Sequence, residues 1–326
     1  MNFKELAKKL IEAKEPVIIS THCCMDGDAI GSEIALAHAL KTKGKDVSIL
    51  NQDTLPDQFN FLQQYFDSFA IENVNKKEKI TVVIVDANDL NKIGETVKYL
   101  LTDELKIQEI IFIDHHKPKN KIENAEYFIS EEASSTGEMV YKLISEEFAL
   151  KIDSVFAEAI YTAIVCDTRS FRYSRTNAYS HQIASDLIKL GIEPERIQTE
   201  LFGSNTLGQI RLLGYVLSNA ELSKNKKIAH VYIPVEKMEE NNVLPHDTKG
   251  FINNLLTIKD VEVAVLFRQD TKDTIKVSIR SKGTYNIQGL AEEFGGGGHK
   301  FAATFTSKKS FTELKEGVIS ALEKNI

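Results

Sequence analysis

From residue 1 to about residue 190, short runs rich in β-branched residues alternate with stretches of helical periodicity. This alternation is typical of a parallel sheet that is covered by helices. The predicted strands are 16–21, 46–51, 81–86 and 109–113, and the predicted helices are 29–43, 135–149, 154–165 and 177–190.

The rest of the chain predicts a second, smaller unit. Residues 193–222 have helical periodicity with one brief interruption, and the polar stretch SKNKK at 223–227 then marks a boundary. After it, strands are predicted at 228–233, 261–267 and 274–280, and helices at 248–256, 286–294 and 310–324. We therefore expect an α/β protein with a parallel sheet flanked by helices over 1–190, a helical linker over 191–226 and a mixed α/β domain over 227–326.

Composition limits the partners and the compartment. The 326 residues carry a formal net charge of -7, which argues against a protein that wraps long duplex nucleic acid, so a nucleic-acid partner should be short. The apolar runs are only strand-length, and the N-terminal segment predicts an amphipathic helix, so neither a membrane nor an export role is supported. Three cysteines do not suggest a disulfide framework, and we expect a reducing cytoplasm.

Polar side chains follow three of the predicted strands. The first strand runs into THCCMDGDAIGS at 21–32, the third ends in Asp86, and the fourth ends in Asp114, His115 and His116. In open α/β sheets ligands bind beyond the carboxyl ends of the strands, where such loops converge.

The sequence predicts a centre for two divalent metal ions at this edge. The candidate ligands are His22, Asp26, Asp28, Asp86, His115 and Asp167. Four carboxylates repel one another, and two divalent ions would neutralise them. Oxygen and imidazole donors suit manganese, with magnesium, cobalt or zinc as possible substitutes. Two such ions can activate a shared water for in-line attack at phosphorus, so phosphoester hydrolysis is the predicted chemistry.

Each of these residues alone has a less specific interpretation. A single aspartate at a strand end is usually a helix cap or a turn residue, and a single histidine can be a core residue with satisfied hydrogen bonds. The joint pattern H-x-x-x-D-x-D with Asp-His-His, each after a predicted strand, is what favours the metal centre.

These motifs resemble those of the DHH phosphoesterase superfamily. The four family motifs correspond to THCCMDGDAIGS at 21–32, VDAND at 85–89, IDHH at 113–116 and VCDTRSF at 165–171. VSIRSKG at 277–283 and EEFGGGGHKFAATF at 293–306 resemble the DHH-associated C-terminal domain. The order and spacing are similar to those of the nanoRNase and pAp phosphatase branch.

The resemblance implies a role for each matched residue. One ion would be held by His22, Asp26 and Asp86, and the other by Asp28, Asp86, His115 and Asp167. His116 would contact the phosphate and polarise it or donate a proton, and Asp114 would orient its neighbours. The catalytic domain would be 1–190 and the substrate-binding domain 227–326. The two would face each other across a cleft, with the 205–222 helix and SKNKK as the hinge.

The implied substrate contacts of the second domain are Arg280, Ser281, Gly296, Gly297, Gly298 and His299. Consecutive glycines before a histidine can hold an anion with backbone amides, although they can equally form a flexible turn. Arginine is the residue best suited to bidentate phosphate contact.

Arg169 departs from the family pattern, and the three cysteines lie next to predicted ligands. Arg169 replaces a common glycine, and this added cation either binds a terminal phosphate or faces solvent. Cys23, Cys24 and Cys166 neighbour predicted ligands, and we interpret them as small apolar fillers rather than as thiolate ligands or redox sensors.

Three functions remain open at this point. The first is hydrolysis of short oligoribonucleotides to mononucleotides, with or without removal of the 3′-phosphate of pAp. The second is cleavage of cyclic dinucleotides or of linear dinucleotides such as pApA and pGpG. The third, of another class, is an inactive nucleotide-binding module, which would tolerate losses among the metal ligands. A homodimer is a further expectation from the resemblance.

Overall fold

The computed structural model describes residues 2–14, 16–66, 79–118, 121–203, 205–324 and 326. The chain divides into two compact units, Met1–Ser204 and Asn205–Ile326.

The first unit is built on a parallel sheet, as predicted, but the sheet has five strands where the sequence indicated four. Its strands are β1 (Val17–Ser20), β2 (Val47–Ile49), β3 (Lys79–Val85), β4 (Lys106–Asp114) and β5 (Ala125–Ile129). They lie in the order β2-β1-β3-β4-β5, and every neighbouring pair is parallel. The three strands followed by predicted metal ligands, β1, β3 and β4, are therefore adjacent in the middle of the sheet.

Helices complete the first unit. They are α1 (Phe3–Glu12), α2 (Gly27–Thr42), α3 (Glu95–Tyr99), α4 (Thr136–Lys142), α5 (Ser154–Asp167), α6 (Ala178–Lys189) and α7 (Pro194–Phe202). Single π-helical turns at Leu100–Glu104 and Leu143–Glu147 extend α3 and α4, and 3₁₀ turns cover Asp57–Tyr65 and Leu90–Lys92.

The sheet is buried on both faces because side chains alternate along each strand. On β3, Val83 and Val85 pack into the core formed with α1, α2, α4, α5, α6 and α7. The intervening residues of β3, Val82 and Ile84, pack into a second core on the opposite face, together with residues of α3. Near-continuous apolar runs such as TVVIV at 81–85 are the sequence signature of this arrangement.

The second unit has a six-stranded mixed sheet. Its strands are β6 (Glu221–Leu222), β7 (Ile228–Ile233), β8 (Val263–Thr271), β9 (Thr274–Ser281), β10 (Gly297–His299) and β11 (Ala302–Ser307). The order is β10-β11-β9-β8-β7-β6, with β7 and β8 parallel and the other pairs antiparallel. Its helices are α8 (Leu207–Ser218), α9 (Val235–Glu240), α10 (Phe251–Leu255), α11 (Gln288–Glu293) and α12 (Phe311–Glu323).

The stretch predicted as a helical linker, 191–226, is divided between the two units. Ile197 and Leu201 of α7 are buried in the core of the first unit. Leu212 and Val216 of α8 are buried in the second unit against β7 and β8. The lysine-rich stretch 223–227 forms the turn between β6 and β7, where Ser223 N–H donates to Ile228 O at 2.8 Å. Among the described residues, no helix is both long and apolar enough to cross a membrane.

Candidate metal centre

The loop after β1 delivers His22 and Asp26. Asp26 is the N-cap of α2, and its carboxylate accepts hydrogen bonds from the backbone N–H groups of Asp28 (3.0 Å) and Ala29 (3.3 Å). His22 Nδ1 lies 2.9 Å from the carbonyl oxygen of Cys23. A proton on Nδ1 is donated to this oxygen, and the lone pair of Nε2 is then the one that can bind a metal ion. That Nε2 lies 3.5 Å from Asp86 Oδ2.

Asp86 follows the last residue of β3 in a strained backbone conformation. Its φ of 52° lies in the left-handed region, which aspartate tolerates better than most residues but which still costs about 1 kcal/mol. Its N–H donates to Ile113 O at 2.9 Å, and its Oδ1 accepts from Thr136 Oγ1 at 3.1 Å. The turn therefore points the carboxylate away from the sheet and across to the start of α4.

Asp28 is held by the N-terminus of α4. Its two carboxylate oxygens accept from Thr136 N–H (2.8 Å) and Gly137 N–H (2.9 Å), which are unpaired donors of the first helical turn. Burial nevertheless raises the pKa of Asp28 well above its usual value, and the nearby carboxylates of Asp86 and Asp167 raise it further. The helix amides alone do not compensate the negative charge at this position.

The Asp-His-His motif lies at the end of β4, with Asp114 as its last residue. The fully buried Asp114 accepts two hydrogen bonds through Oδ1, from His116 N–H and from His116 Nδ1, both at 2.9 Å. The imidazole of His116 is thereby fixed in orientation.

His115 lies at the centre of the carboxylates. Its Nε2 is 3.6 Å from Asp28 Oδ2, 3.7 Å from Asp86 Oδ1 and 3.6 Å from Asp167 Oδ2. Although this nitrogen is buried, no described residue gives it a hydrogen-bond partner. Burial lowers the pKa of His115 well below the usual value, so the imidazole is neutral. A neutral, unpartnered nitrogen that faces three carboxylates is the arrangement of a metal ligand.

The other ring nitrogen of His115 has two neighbours. Nδ1 lies 2.9 Å from Arg175 Nη1 and 3.4 Å from Ala133 O. A metal ion on Nε2 requires the proton to lie on Nδ1, where it is donated to Ala133 O. In that tautomer Arg175 keeps only its hydrogen bond to the backbone oxygen of His115, at 3.3 Å.

Asp167, the last residue of α5, completes the cluster. Burial and then Asp26 raise its pKa, His116, Arg175 and Arg169 lower it, and the net pKa is about 6. The pKa of Asp86 is also raised well above its usual value, first by burial and then by Asp26. Several carboxylates with raised pKa values indicate a concentration of negative charge that a bound cation would relieve.

The described residues form three groups of possible metal ligands, and in each group the ligand atoms lie within 4.8 Å of one another. The first comprises His22, Asp26 and Asp86, and the second comprises Asp28, His115 and Asp167. Asp86 and His115 also group with Asp114 and His116. Ligands about 2.0–2.2 Å from one ion lie roughly 3.0–3.5 Å apart, and the distances around His115 are only slightly longer. The side chains therefore fit two neighbouring divalent ions.

The three cysteines are free thiols beside this cluster. Burial raises the pKa of Cys166 far above its usual value and raises that of Cys23 as well, so both are protonated at neutral pH. No cysteine belongs to a ligand group among the described residues. These observations favour the interpretation as packing residues for Cys23 and Cys166, whereas Cys24 is exposed and is not an apolar filler.

The predicted substrate contacts of the second unit lie on its sheet. Arg280 and Ser281 end β9, and Ser281 Oγ accepts from Tyr285 N–H at 3.2 Å. Gly297 and Gly298 belong to β10, which pairs with β11. The register aligns position 299 with Ala302 and Ala302 with Arg280, so the three positions form one row across the sheet. The side chain of His299 lies outside the part of the chain that the structure describes.

The glycine run also has a packing role. A Cβ on Gly296 would lie 2.2 Å from Thr304 O, and one on Gly298 would lie 2.4 Å from Ala302 O. Glycine is therefore required at both positions for β11 to approach, whether or not a phosphate binds there. A Cβ on Gly297, in contrast, would meet open space.

Sequence reasoning missed two functional contacts. Thr136 binds both Asp28 and Asp86, and Arg175 binds His115. The pattern Ser135-x-x-Glu138 is a helix N-terminus signature, and Ser135 does cap α4. That signature could have indicated an anion-binding helix end near Thr136. No local pattern distinguishes Arg175 from other surface arginines.

The fold and the site together define a class: a parallel α/β domain with a carboxylate and histidine centre suited to two divalent ions, followed by a mixed α/β domain. Two family models match the chain, the DHH family N-terminal domain over residues 16–164 and the DHHA1 domain over residues 225–326. The chain therefore carries a DHH family N-terminal domain and a DHHA1 domain, as the sequence motifs predicted.

Named relatives cover nearly the whole chain. A bifunctional oligoribonuclease and PAP phosphatase NrnA of Bacillus subtilis is 27% identical over 90% of this chain and 90% of its own length. The protein of the same name from Thermus thermophilus is 27% identical over 98% of this chain and 94% of its own. A solved structure of an exopolyphosphatase-related protein from Bacteroides fragilis is 28% identical, covers 99% of this chain and 96% of its own, and superposes with a TM-score of 0.88.

Proposed function

We propose that this protein is a two-metal phosphoesterase that hydrolyses short oligoribonucleotides to mononucleotides and removes the 3′-phosphate of pAp. One observation carries the proposal: His115 Nε2 is buried, has no hydrogen-bond partner among the described residues, and lies 3.6–3.7 Å from three carboxylates. An arrangement of this kind is unfavourable unless cations occupy it.

The ligands divide into two sets. His22, Asp26 and Asp86 would hold one ion, and Asp28, Asp86, His115 and Asp167 the other. When bound, the ions would supply a water of lowered pKa and a positive charge on the phosphate oxygens. Manganese suits this mixture of oxygen and imidazole donors, and magnesium, cobalt or zinc could replace it.

His116 and Asp114 would act on the phosphate rather than on the ions. Asp114 fixes His116 through two hydrogen bonds to a single carboxylate oxygen, and Nε2 is the ring nitrogen that we assign to the phosphate. His116 would use that nitrogen to contact a phosphate oxygen or to protonate the leaving oxygen. Asp114 is thus a positioning residue, because it acts through His116.

The second unit would bind the remainder of the substrate. Arg280 offers a forked guanidinium for a phosphate, and Ser281, the backbone of Gly296, Gly297 and Gly298, and His299 would add further donors. The names of the two bacterial relatives, which align over most of this chain, support short oligoribonucleotides and pAp as substrates. Cyclic and linear dinucleotides stay the alternative.

A direct assay tests the proposal. We expect manganese-dependent release of mononucleotides from a 5′-labelled dinucleotide and a five-residue oligomer, and release of phosphate from pAp. Linear pApA and cyclic dinucleotides, run in parallel, separate the alternative substrates. We expect Asp28→Asn to lose nearly all turnover and to bind less manganese, measured by elemental analysis after gel filtration. Asp46→Asn, at an exposed position between α2 and β2, is the matched control.

Two outcomes would contradict the proposal. Asp28→Asn could keep full metal content and full turnover, or the wild-type chain could bind nucleotide with no turnover of any of these substrates. The second result would favour an inactive nucleotide-binding module. The homodimer and the cytoplasmic location stay predictions, the first to be tested by light scattering of the whole chain and the second by cell fractionation.

A further inference from the structure

An arginine-rich loop directly follows the metal ligand Asp167. It carries arginines at 169, 172 and 175, and its backbone is held by several hydrogen bonds. The N–H groups of Arg172 and Tyr173 both donate to Thr168 O, at 2.9 Å and 3.0 Å, and Phe171 N–H donates to Thr168 Oγ1 at 3.0 Å. Thr168 itself is fully buried. The loop is therefore a fixed part of the first unit.

The first arginine of this loop has a strained backbone. Arg169, Ser170 and Phe171 have φ values of 49°, 58° and 62°, three successive residues in the left-handed region. This region is unfavourable for residues with a Cβ, whereas glycine adopts it freely. The family resemblance led us to expect glycine at position 169. The arginine side chain is thus present at an energetic cost to the fold.

The guanidinium of Arg169 is the one in this loop without a protein acceptor. Arg172 Nε donates to Arg169 O at 3.0 Å, and Arg175 Nη1 donates to His115 O at 3.3 Å. Within the described ranges, no oxygen accepts a hydrogen bond from the Arg169 side chain, which is half-buried. Asp167 and Arg169 are two residues apart in sequence, so their Cα atoms lie within about 7 Å.

The charge balance changes when the metal centre is filled. Four carboxylates and two divalent ions sum to roughly zero, so the acidic cluster no longer neutralises the arginines. Arg169 then presents an unpaired positive charge at the edge of a neutral centre. A phosphate monoester carries about -1.5 to -2 charges at pH 7 and matches a forked guanidinium well.

We propose that Arg169 binds the second, uncleaved phosphate of the substrate and so makes the protein prefer nucleotides that carry a terminal phosphate next to the scissile one. The proposal rests on the proposed phosphoesterase function and adds a specificity-determining residue to it. The substrates it favours are 5′-phosphorylated dinucleotides over dinucleotides that end in a free hydroxyl.

The test compares pApA with ApA in the presence of manganese. We expect Arg169→Gly to raise KM for pApA about 10-fold or more, with KM for ApA changed less than twofold, because only pApA carries the second phosphate. Arg169→Lys should give an intermediate KM for pApA, since it keeps the charge but loses the fork. The melting temperature of Arg169→Gly should equal or exceed that of the wild type, because glycine relieves the strain.

Lys226→Gly is the matched control, since Lys226 is also a cation at positive φ, in the turn between β6 and β7. It should leave both KM values unchanged. Equal effects of Arg169→Gly on pApA and ApA, or no effect on either, would overturn the assignment. If the wild type cleaves neither dinucleotide, the proposed function fails, and equilibrium binding of pApA and ApA at the same manganese concentration still tests Arg169. If Arg169→Gly abolishes a binding preference for pApA over ApA, the result supports the role assigned to Arg169. An unchanged binding preference overturns that role.

Discussion

Glu33 is a buried acid that has no place in the proposed chemistry. Its Oε2 accepts from Asn51 Nδ2 at 2.8 Å, whereas Oε1 has no partner among the described residues. Asn51 in turn accepts from Thr21 N–H at 3.1 Å, beside His22. Burial raises the pKa of Glu33, the hydrogen bond from Asn51 and the nearby His22 lower it in part, and the net pKa is about 8. At neutral pH the side chain is therefore mostly a neutral acid.

This raised pKa predicts a pH-dependent effect of Glu33→Gln on the free energy of unfolding. Below about pH 4.5 both states of the wild type bind the proton. Between about pH 4.5 and 8 only the folded state keeps it, so the stability contributed by Glu33 is lost as the pH rises. The stability of Glu33→Gln relative to wild type should therefore increase over this window, by about 1.4 kcal/mol per pH unit at most, and level off above pH 8.

Urea unfolding in EDTA at pH 5 and pH 8.5 measures this difference. Glu12→Gln, at an exposed position of α1, is the control and should show no comparable trend. A Glu33→Gln effect that is the same at both pH values would show that Glu33 is ionised in the folded protein.

The sequence predicted the identity of the clustered side chains but not their contacts. His22, Asp26, Asp28 and His115 were found because they follow strands in a recognisable spacing. The bond from Arg175 to His115 joins residues 60 positions apart, and no periodicity indicates it. The left-handed φ of Asp86 could not be predicted from the sequence either. It arises from the turn by which the chain leaves β3 and directs the Asp86 carboxylate toward α4.

At the scale of elements, the close packing of α4 against α5 determines the positions of two candidate metal ligands. These are Asp28 and Asp86, which both accept hydrogen bonds from Thr136 at the start of α4. Thr136 and Gly137 open α4, and their N–H groups hold Asp28. A Cβ on Gly137 would lie only 2.4 Å from the Cβ of Ala163 on α5. Real Cβ atoms do not approach so closely, so any side chain at 137 must push the two helices apart.

We therefore expect Gly137→Ala to destabilise the fold by about 1–3 kcal/mol and to weaken manganese binding, because it displaces the amides that position Asp28. Adding Ala163→Gly should restore much of the metal affinity by removing the opposing methyl group, although glycine within α5 itself costs about 1 kcal/mol. Calorimetric titration with manganese and urea unfolding of the two single variants and the double variant complete the cycle. Strictly additive losses of metal affinity would contradict the proposed contact.

Short elements were the ones that sequence patterns missed. β5 has five residues with only Phe128 fully buried, so it lacks the long apolar run that identified β3. β10 consists of glycines and one histidine, and glycine is depleted in strands, so 297–299 suggested a loop. Pairing with β11 decides its conformation, and that pairing is a tertiary effect.

At the scale of the whole molecule, each unit has its own buried cores. The first unit buries both faces of its sheet, and the second buries one set of side chains with α8 and α10 and another with α11 and α12. The sequence predicted two units and the secondary structure near their junction. It could not predict that α7 packs with the first unit and α8 with the second, because both helices have similar amphipathic patterns.

A fragment ending at residue 204 should fold and bind manganese, because all six candidate ligands and both cores of the first unit precede this point. It should lose most hydrolysis of oligonucleotides, because the proposed phosphate contacts at Arg280 and Ser281 are missing. Circular dichroism, manganese titration and the dinucleotide assay check the three parts. A fragment that folds, binds no manganese and retains turnover would contradict the ligand assignment.

The position of the candidate ligands along the chain also determines when they are synthesised relative to the second unit. Every candidate metal ligand lies between His22 and Asp167, and the unit that contains these residues ends at Ser204. Because translation proceeds from the N-terminus and domains fold as units, the donors emerge from the ribosome before the residues from 205 onward have all been made. The proposed metal centre would therefore be complete, and able to bind ions, while the unit that would bind nucleotides is still being synthesised.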